Sequence, residues 1–179
     1  MALEIERRFL VKGSDWQAHR RWQAQLRQGY LVSGADGLTV RVRTSQRDGQ
    51  EQAWLTLKAA LTVAAPPAED ALTCQEFEYA IPVADGQGLL ALCPHQLLKW
   101  RYGLDLPGGD WVLDVFEEAN APLVVAEVEL ATAADPVVVP PWCVRELTGD
   151  HALSNAALAR RPWATWSPAE RQALLDPLN

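Results

Sequence analysis

Charged pairs recur along this chain at a spacing of two residues, and the two kinds of pair suit the two halves of a metal-assisted phosphate chemistry. Glu4 and Glu6, Glu76 and Glu78, and Glu127 and Glu129 are E-x-E pairs, whereas Arg41 and Arg43, and Lys99 and Arg101, are basic pairs. Paired carboxylates offer oxygen to hard divalent cations such as Mg2+ or Mn2+. Paired guanidinium groups grip phosphate oxygens bidentately. Arg8, Lys58 and Asp114 are further charges in similar settings.

These residues need elements that aim them. Alternation of apolar and polar residues predicts strands over Leu3–Val11, Leu38–Thr44, Trp54–Lys58, Gln75–Ile81, Leu98–Leu104, Trp111–Phe116 and Val124–Leu130. Tyr30–Ser33 makes a short eighth. Asp36-Gly37 and Gly108-Gly109-Asp110 are turn signals. Residues i and i+2 of a strand share a face. Glu4, Glu6 and Arg8 therefore lie together, opposite Leu3, Ile5 and Phe9, and Lys58 shares the face of Trp54 and Thr56.

For any single pair, the solvated face of a half-buried sheet is the ordinary explanation. Yet like charges two apart repel, and folding alone does not favour repeating one sign along a strand. A bound ligand does. If the sheet closes with these faces inward, an anion clamp and a metal site meet in one cavity, and an eight-stranded barrel has room for one small ligand.

Helices are fewer. Ser14-Asp15-Trp16-Gln17 resembles a capping box before a helix running to about Gln28. Short helices are expected over Asp85–Leu92 and Asp150–Arg160, and a terminal one over residues 167–176 behind Ser167-Pro168-Ala169-Glu170. Ala59–Leu72, with Pro66 and Pro67, reads as a long loop. The class is α+β with β dominant.

The 179 residues suit one domain, and no shift in composition marks a second. A net charge of −7 argues against a nucleic-acid partner. Three cysteines without CxxC spacing suit reduced thiols and a cytoplasmic setting. The N-terminus shows no apolar signal region, and no stretch approaches a membrane span. His19, His95 and His151 form no ligand-spaced cluster, so zinc is not expected. Trp142 and Trp163 read as packing residues, with gating of a tunnel mouth as the lesser alternative.

Glu4-Ile5-Glu6-Arg7-Arg8-Phe9-Leu10-Val11 resembles the N-terminal signature of the CYTH, or triphosphate tunnel metalloenzyme, family. Further segments follow in that family's order: Arg27-Gln28-Gly29-Tyr30-Leu31, Arg41 with Arg43, Leu55-Thr56-Leu57-Lys58, Glu76-Phe77-Glu78, Lys99-Trp100-Arg101-Tyr102, Leu113-Asp114-Val115-Phe116, Glu127-Val128-Glu129 and Ser154-Asn155. The likeness runs from about residue 3 to residue 160 of a single domain spanning 1–179.

The resemblance implies an eight-stranded antiparallel closed barrel, a tunnel with inward charges and a few flanking helices. It implies Mg2+ or Mn2+ held by Glu4, Glu6, Asp114, Glu127 and Glu129. The phosphate chain would meet Arg8, Arg41, Arg43, Lys58, Lys99 and Arg101, with Glu76 and Glu78 ordering the basic groups. Glu4, Glu6, Arg8, Tyr30 and Glu129 would carry the chemistry. That chemistry is hydrolysis of a triphosphate, foremost inorganic tripolyphosphate to pyrophosphate and phosphate. An adenylate cyclase of class IV type, a thiamine triphosphatase and a non-catalytic polyphosphate-binding module are the alternatives, and a homodimer is left open.

Three departures bear on this. Arg8 stands where the family carries lysine, and arginine does not readily give up its proton, so the part Tyr30 plays beside it is open. Cys74 replaces an arginine before the central E-x-E, and Asp150-His151-Ala152-Leu153-Ser154-Asn155 lacks the family's tyrosine.

Overall fold

A computed structural model describes residues 2–33, 38–60 and 73–175. Nine strands are present among the described residues: β1 (Ala2–Val11), β2 (Arg20–Ser33), β3 (Thr39–Arg47), β4 (Gln50–Ala60), β5 (Thr73–Ile81), β6 (Gln96–Leu104), β7 (Asp110–Phe116), β8 (Val124–Glu129) and β9 (Cys143–Glu146). Three α-helices accompany them: α1 (Val83–Leu92), α2 (Asn155–Arg160) and α3 (Pro168–Leu175). The strands form one antiparallel sheet in the order β5-β4-β3-β2-β6-β7-β8-β1-β9, with an additional pairing of β5 to β1.

That last pairing decides the shape. β1 joins β5 only from Ala2↔Glu76 to Ile5↔Thr73, and then turns its Phe9–Val11 edge to β9. The expected closed eight-stranded barrel is corrected accordingly. The sheet curls into a ring fastened at one end of the β1–β5 seam and parted at the other, with a ninth strand occupying the free edge.

The predicted helix from Ser14 to Gln28 is also corrected. Only a 3-10 turn forms over Asp15–His19, and Ser14 makes no side-chain cap. From Arg20 onward the chain is strand, paired with β3 on one edge and β6 on the other. Ala24, Leu26, Gln28 and Tyr30 are buried while Arg21, Gln23 and Arg27 are exposed, a period of two. Two flanking ladders outweigh a weak helical preference.

The terminal capping box forms as read. Ser167 N–H donates to Glu170 Oε2 at 2.8 Å, and Glu170 N–H to Ser167 Oγ at 3.3 Å. The turn between β3 and β4 was not anticipated. Asp48 (φ 51°) and Gly49 (φ 77°) both take left-handed backbone, as a two-residue hairpin requires. Asp36-Gly37 and most of the expected loop Ala59–Leu72 lie outside the described residues, Ala59 and Ala60 being the end of β4.

The core divides in two. One cluster covers the outer wall of β1, β7 and β8, where Phe9, Trp111, Leu113, Ala126 and Val128 pack under Trp16 and Trp142. The other plugs one end of the ring. Inward residues Leu10, Tyr30, Leu97, Phe116 and Val125 meet Leu153, Leu158, Trp163 and Trp166 of the C-terminal segment. Trp142 and Trp163 are thus packing residues, 6% and 4% exposed. Among the described residues, no helix is long and apolar enough to cross a membrane.

Candidate active site

Cross-strand register fixes which charges share the inner face. Glu6 lies opposite Glu129 and Arg8 opposite Glu127 on the β1–β8 ladder. Arg101 lies opposite Asp114, Arg41 opposite Thr56, and Thr56 in turn opposite Glu78. Paired residues point the same way, so acids and bases from seven neighbouring strands converge above the apolar plug.

On one wall the charges form a closed relay. Arg101 donates to Asp114 from Nε and Nη2, each at 2.7 Å, and from Nη2 to Glu127 at 2.7 Å. Glu127 also accepts from Arg8 Nε at 3.1 Å. Lys99 donates to Asp114 at 2.5 Å and to Asn155 Oδ1 at 3.2 Å. Burial alone would raise Asp114 and Glu127, but Arg101, with Lys99 and Arg8, holds both below the ordinary carboxylate range. Burial pulls Lys99 down to about 8 against the opposing pull of Asp114.

The opposite wall is looser. Arg43 Nη2 reaches both oxygens of Glu78, at 3.1 and 3.0 Å. Arg41 Nη2 touches Glu76 and Glu78 at 3.4 Å and Thr56 Oγ1 at 3.1 Å. Lys58 bridges Glu76, at 3.1 Å, and Glu4. Burial, with Arg41 nearby, lowers Arg43 to about 10. The Nε atoms of Arg41 and Arg43 are buried without an acceptor. Such orphaned donors are rare in folded proteins, and an acceptor-only anion would satisfy them.

Between the walls, Glu6 makes no hydrogen bond or salt bridge to any described side chain. Burial, then the charges of Glu127 and Glu4, push it up to about 7. Glu129, exposed toward the open end, is raised by burial, Glu4 and Asp110. Glu4, itself paired with Lys58, lies with Glu6 and Glu129 in a group of hard oxygen donors, the set a divalent cation fits. Among the described residues, no three acidic, His or Cys groups already converge at coordinating distance, so these side chains would close onto an ion rather than await it.

Several sequence expectations are refined. Asp114 is fully buried with both oxygens taken by Arg101 and Lys99, which suits orienting those cations better than facing a metal. Glu127 is likewise engaged by two arginines. Tyr30 is in the plug, its hydroxyl bonded to Gln28 and not to Arg8. Gln28, Thr56 and Asn155 escaped sequence reasoning as contacts, although Thr56 shares the face of Lys58 and Asn155 closes a recognised motif. A cavity of about 140 Å³ joins Glu6 and Arg8 to Thr148, Asp150, His151 and Ser154. A groove of about 150 Å³ lined by Gln25, Thr44, Glu51 and Gln87 touches none of the charged network.

Comparison with known proteins agrees with this arrangement. The family model described as the CYTH domain matches residues 2–161. An inorganic triphosphatase of Acetivibrio thermocellus is 33% identical over 165 residues, covering 91% of this chain and 97% of its own. One from Nitrosomonas europaea is 37% identical over 161 residues, covering 87% and 96%. The crystal structure of an inorganic triphosphatase superposes with a TM-score of 0.58 at 32% identity, covering 89% of this chain and 95% of that one.

Proposed function

Because the chain belongs to the CYTH domain family, we propose that it is a metal-dependent triphosphatase that cleaves inorganic tripolyphosphate to pyrophosphate and phosphate. The observation that carries this reading is the contrast across the ring. Arg41 and Arg43 carry buried donors without acceptors, while Glu6, crowded by Glu127 and Glu4, makes no salt bridge among the described residues.

Arg41, Arg43, Lys58 and Arg101 bind the phosphate chain, and Lys99 and Arg8 complete the basic lining. Glu76 and Glu78 hold Arg41, Arg43 and Lys58 in place until an anion arrives. Asp114 and Glu127 fix the Arg101 fork, which leaves less to reorganise when charge develops on the phosphoryl oxygens. The basic side chains are matched by at least as many carboxylates, so a highly charged anion enters with its own counter-cations. Glu4, Glu6 and Glu129 hold those cations, Mg2+ or Mn2+. When bound, the ion supplies Lewis acidity toward the terminal phosphoryl group and lowers the pKa of attacking water. A carboxylate of this acidic set takes a proton from that water as the water oxygen bonds to the terminal phosphorus and the bond to the bridging oxygen breaks, releasing pyrophosphate. The plug shuts one end of the ring, so substrate enters from the Glu129 side. That the C-terminal segment supplies the plug supports reading the chain as one domain.

The test is phosphate release from tripolyphosphate, ATP and thiamine triphosphate, each with Mg2+ and with Mn2+. Metal-dependent release, fastest from tripolyphosphate, is expected, and Glu6→Gln should abolish it while the protein stays folded. Release that persists unchanged after chelation would overturn the proposal. Cyclic nucleotide among the products from ATP would favour the cyclase alternative.

A further inference from the structure

Gln28 and Tyr30 share the inner face of β2 and are 1% and 6% exposed. Gln28 Nε2 donates to Tyr30 Oη at 2.7 Å. The amide therefore fills an acceptor position of the phenol oxygen, and the phenol's own hydrogen has to point elsewhere. Among the described residues nothing accepts it. Tyr30 lies opposite Arg41 in the β2–β3 register, and Gln28 lies opposite Arg43. The phenol O–H thus joins the two orphaned Nε donors on the same stretch of wall.

We infer that Gln28 is a positioning residue that turns the Tyr30 O–H into the ring, where it hydrogen-bonds a phosphoryl oxygen of the substrate. A phenol without Gln28 can rotate its hydrogen toward other partners. With the amide N–H against its oxygen, the orientation facing the anion is selected before substrate arrives. Burial raises the Tyr30 pKa above its ordinary value, so the group stays a neutral donor. It works as a donor and not as a base, and needs no lysine beside it. That accommodates Arg8, which is committed to Glu127 and to the carbonyl of Leu153 at 3.1 Å.

This rests on the triphosphatase reading, and the experiment separates the two. Tyr30→Phe, Gln28→Met and the double variant are compared for kcat/KM on tripolyphosphate and, in parallel, for tripolyphosphate affinity by calorimetry. Losing a donor to a charged oxygen is expected to lower kcat/KM about 10- to 100-fold in Tyr30→Phe. Gln28→Met should lower it by a smaller factor, and the double variant should fall no further than Tyr30→Phe, because Gln28 acts only through the phenol. Gln28→Glu, close in size, should do worse than Gln28→Met, since its carboxylate would take the phenol hydrogen for itself. A Gln28→Met loss of equal factor in the Tyr30→Phe background overturns the inference while leaving the triphosphatase intact. A wild-type chain that neither hydrolyses nor binds tripolyphosphate overturns both.

Discussion

Lys99 Nζ lies 2.5 Å from Asp114 Oδ2, and both side chains are 1% exposed. This pair is the floor of the charged ring, directly above Phe116, whose ring centroid is 5.5 Å from the ammonium. Asp114 also accepts from Arg101 Nε and Nη2, so a single carboxylate pairs with two cations, one of which, Arg101, it shares with Glu127.

That sharing predicts an asymmetry. Asp114→Asn leaves Lys99 without its counter-charge and Arg101 with Glu127 alone, and should cost about 3–5 kcal/mol of stability. Lys99→Met leaves Asp114 still held by Arg101 and should cost less, about 1–3 kcal/mol. Urea denaturation of the two variants measures the difference, and equal losses would contradict it.

Glu6 gives a pH signature. Its folded pKa, about 7, lies above the unfolded value of 4.5. Between these values the folded state holds a proton that the unfolded chain has lost. The contribution is therefore full below about pH 4.5 and lost as pH rises through 7. Without metal, stability should fall across that window by up to about 3 kcal/mol. Mg2+ or Mn2+ should remove the slope by favouring the ionised form. Thermal melts from pH 5 to 8 with and without metal test this, and Glu6→Gln should flatten the metal-free profile.

Arg8 serves two acceptors at once, Glu127 Oε1 through Nε and the Leu153 carbonyl through Nη2, each at 3.1 Å. Arg8→Lys offers one nitrogen where two are used. It should lose about 1–2 kcal/mol of stability yet keep turnover within about tenfold. Arg8→Met, which removes the charge, should lower kcat about 100-fold or more. Steady-state kinetics on tripolyphosphate distinguish the two.

The plug makes the C-terminal segment part of the barrel. Leu158 is fully buried against inward residues of the strands, so Leu158→Ala should cost about 2–5 kcal/mol through the cavity it leaves. A single cooperative urea transition, shifted as a whole, is expected. A separate early transition for the C-terminal segment would contradict the one-domain reading.

Much of the barrel was legible because its signals are local. Alternation needs only neighbouring residues, so the strands around Glu4, Arg41, Lys58, Glu76, Lys99, Asp114 and Glu127 could be read with their faces. The capping box at Ser167 and the glycine turn at Gly108 and Gly109 are equally local. β2 was misread over its first half because Trp16–Gln28 carries a cap-like start and helix-tolerant residues. Over Arg20–Gln28 its strand state comes from partners far off in sequence, as close as Gln28↔Arg43 and as far as Arg20↔Leu104. β9 was missed because four residues are too few to show a period.

The sequence by itself determined which side chains share a strand face and that one face of the sheet carries paired charges of each sign, since a strand's period of two is a local property of the backbone. Only the tertiary structure decided which carboxylate meets which cation. Long-range register assigns Asp114 to Lys99 and Arg101, gives Glu127 to two arginines, and leaves Glu6 opposite Glu129 with no salt bridge among the described residues. Coulomb energies depend on distance and burial across strands, and neither is written in the order of residues along one chain.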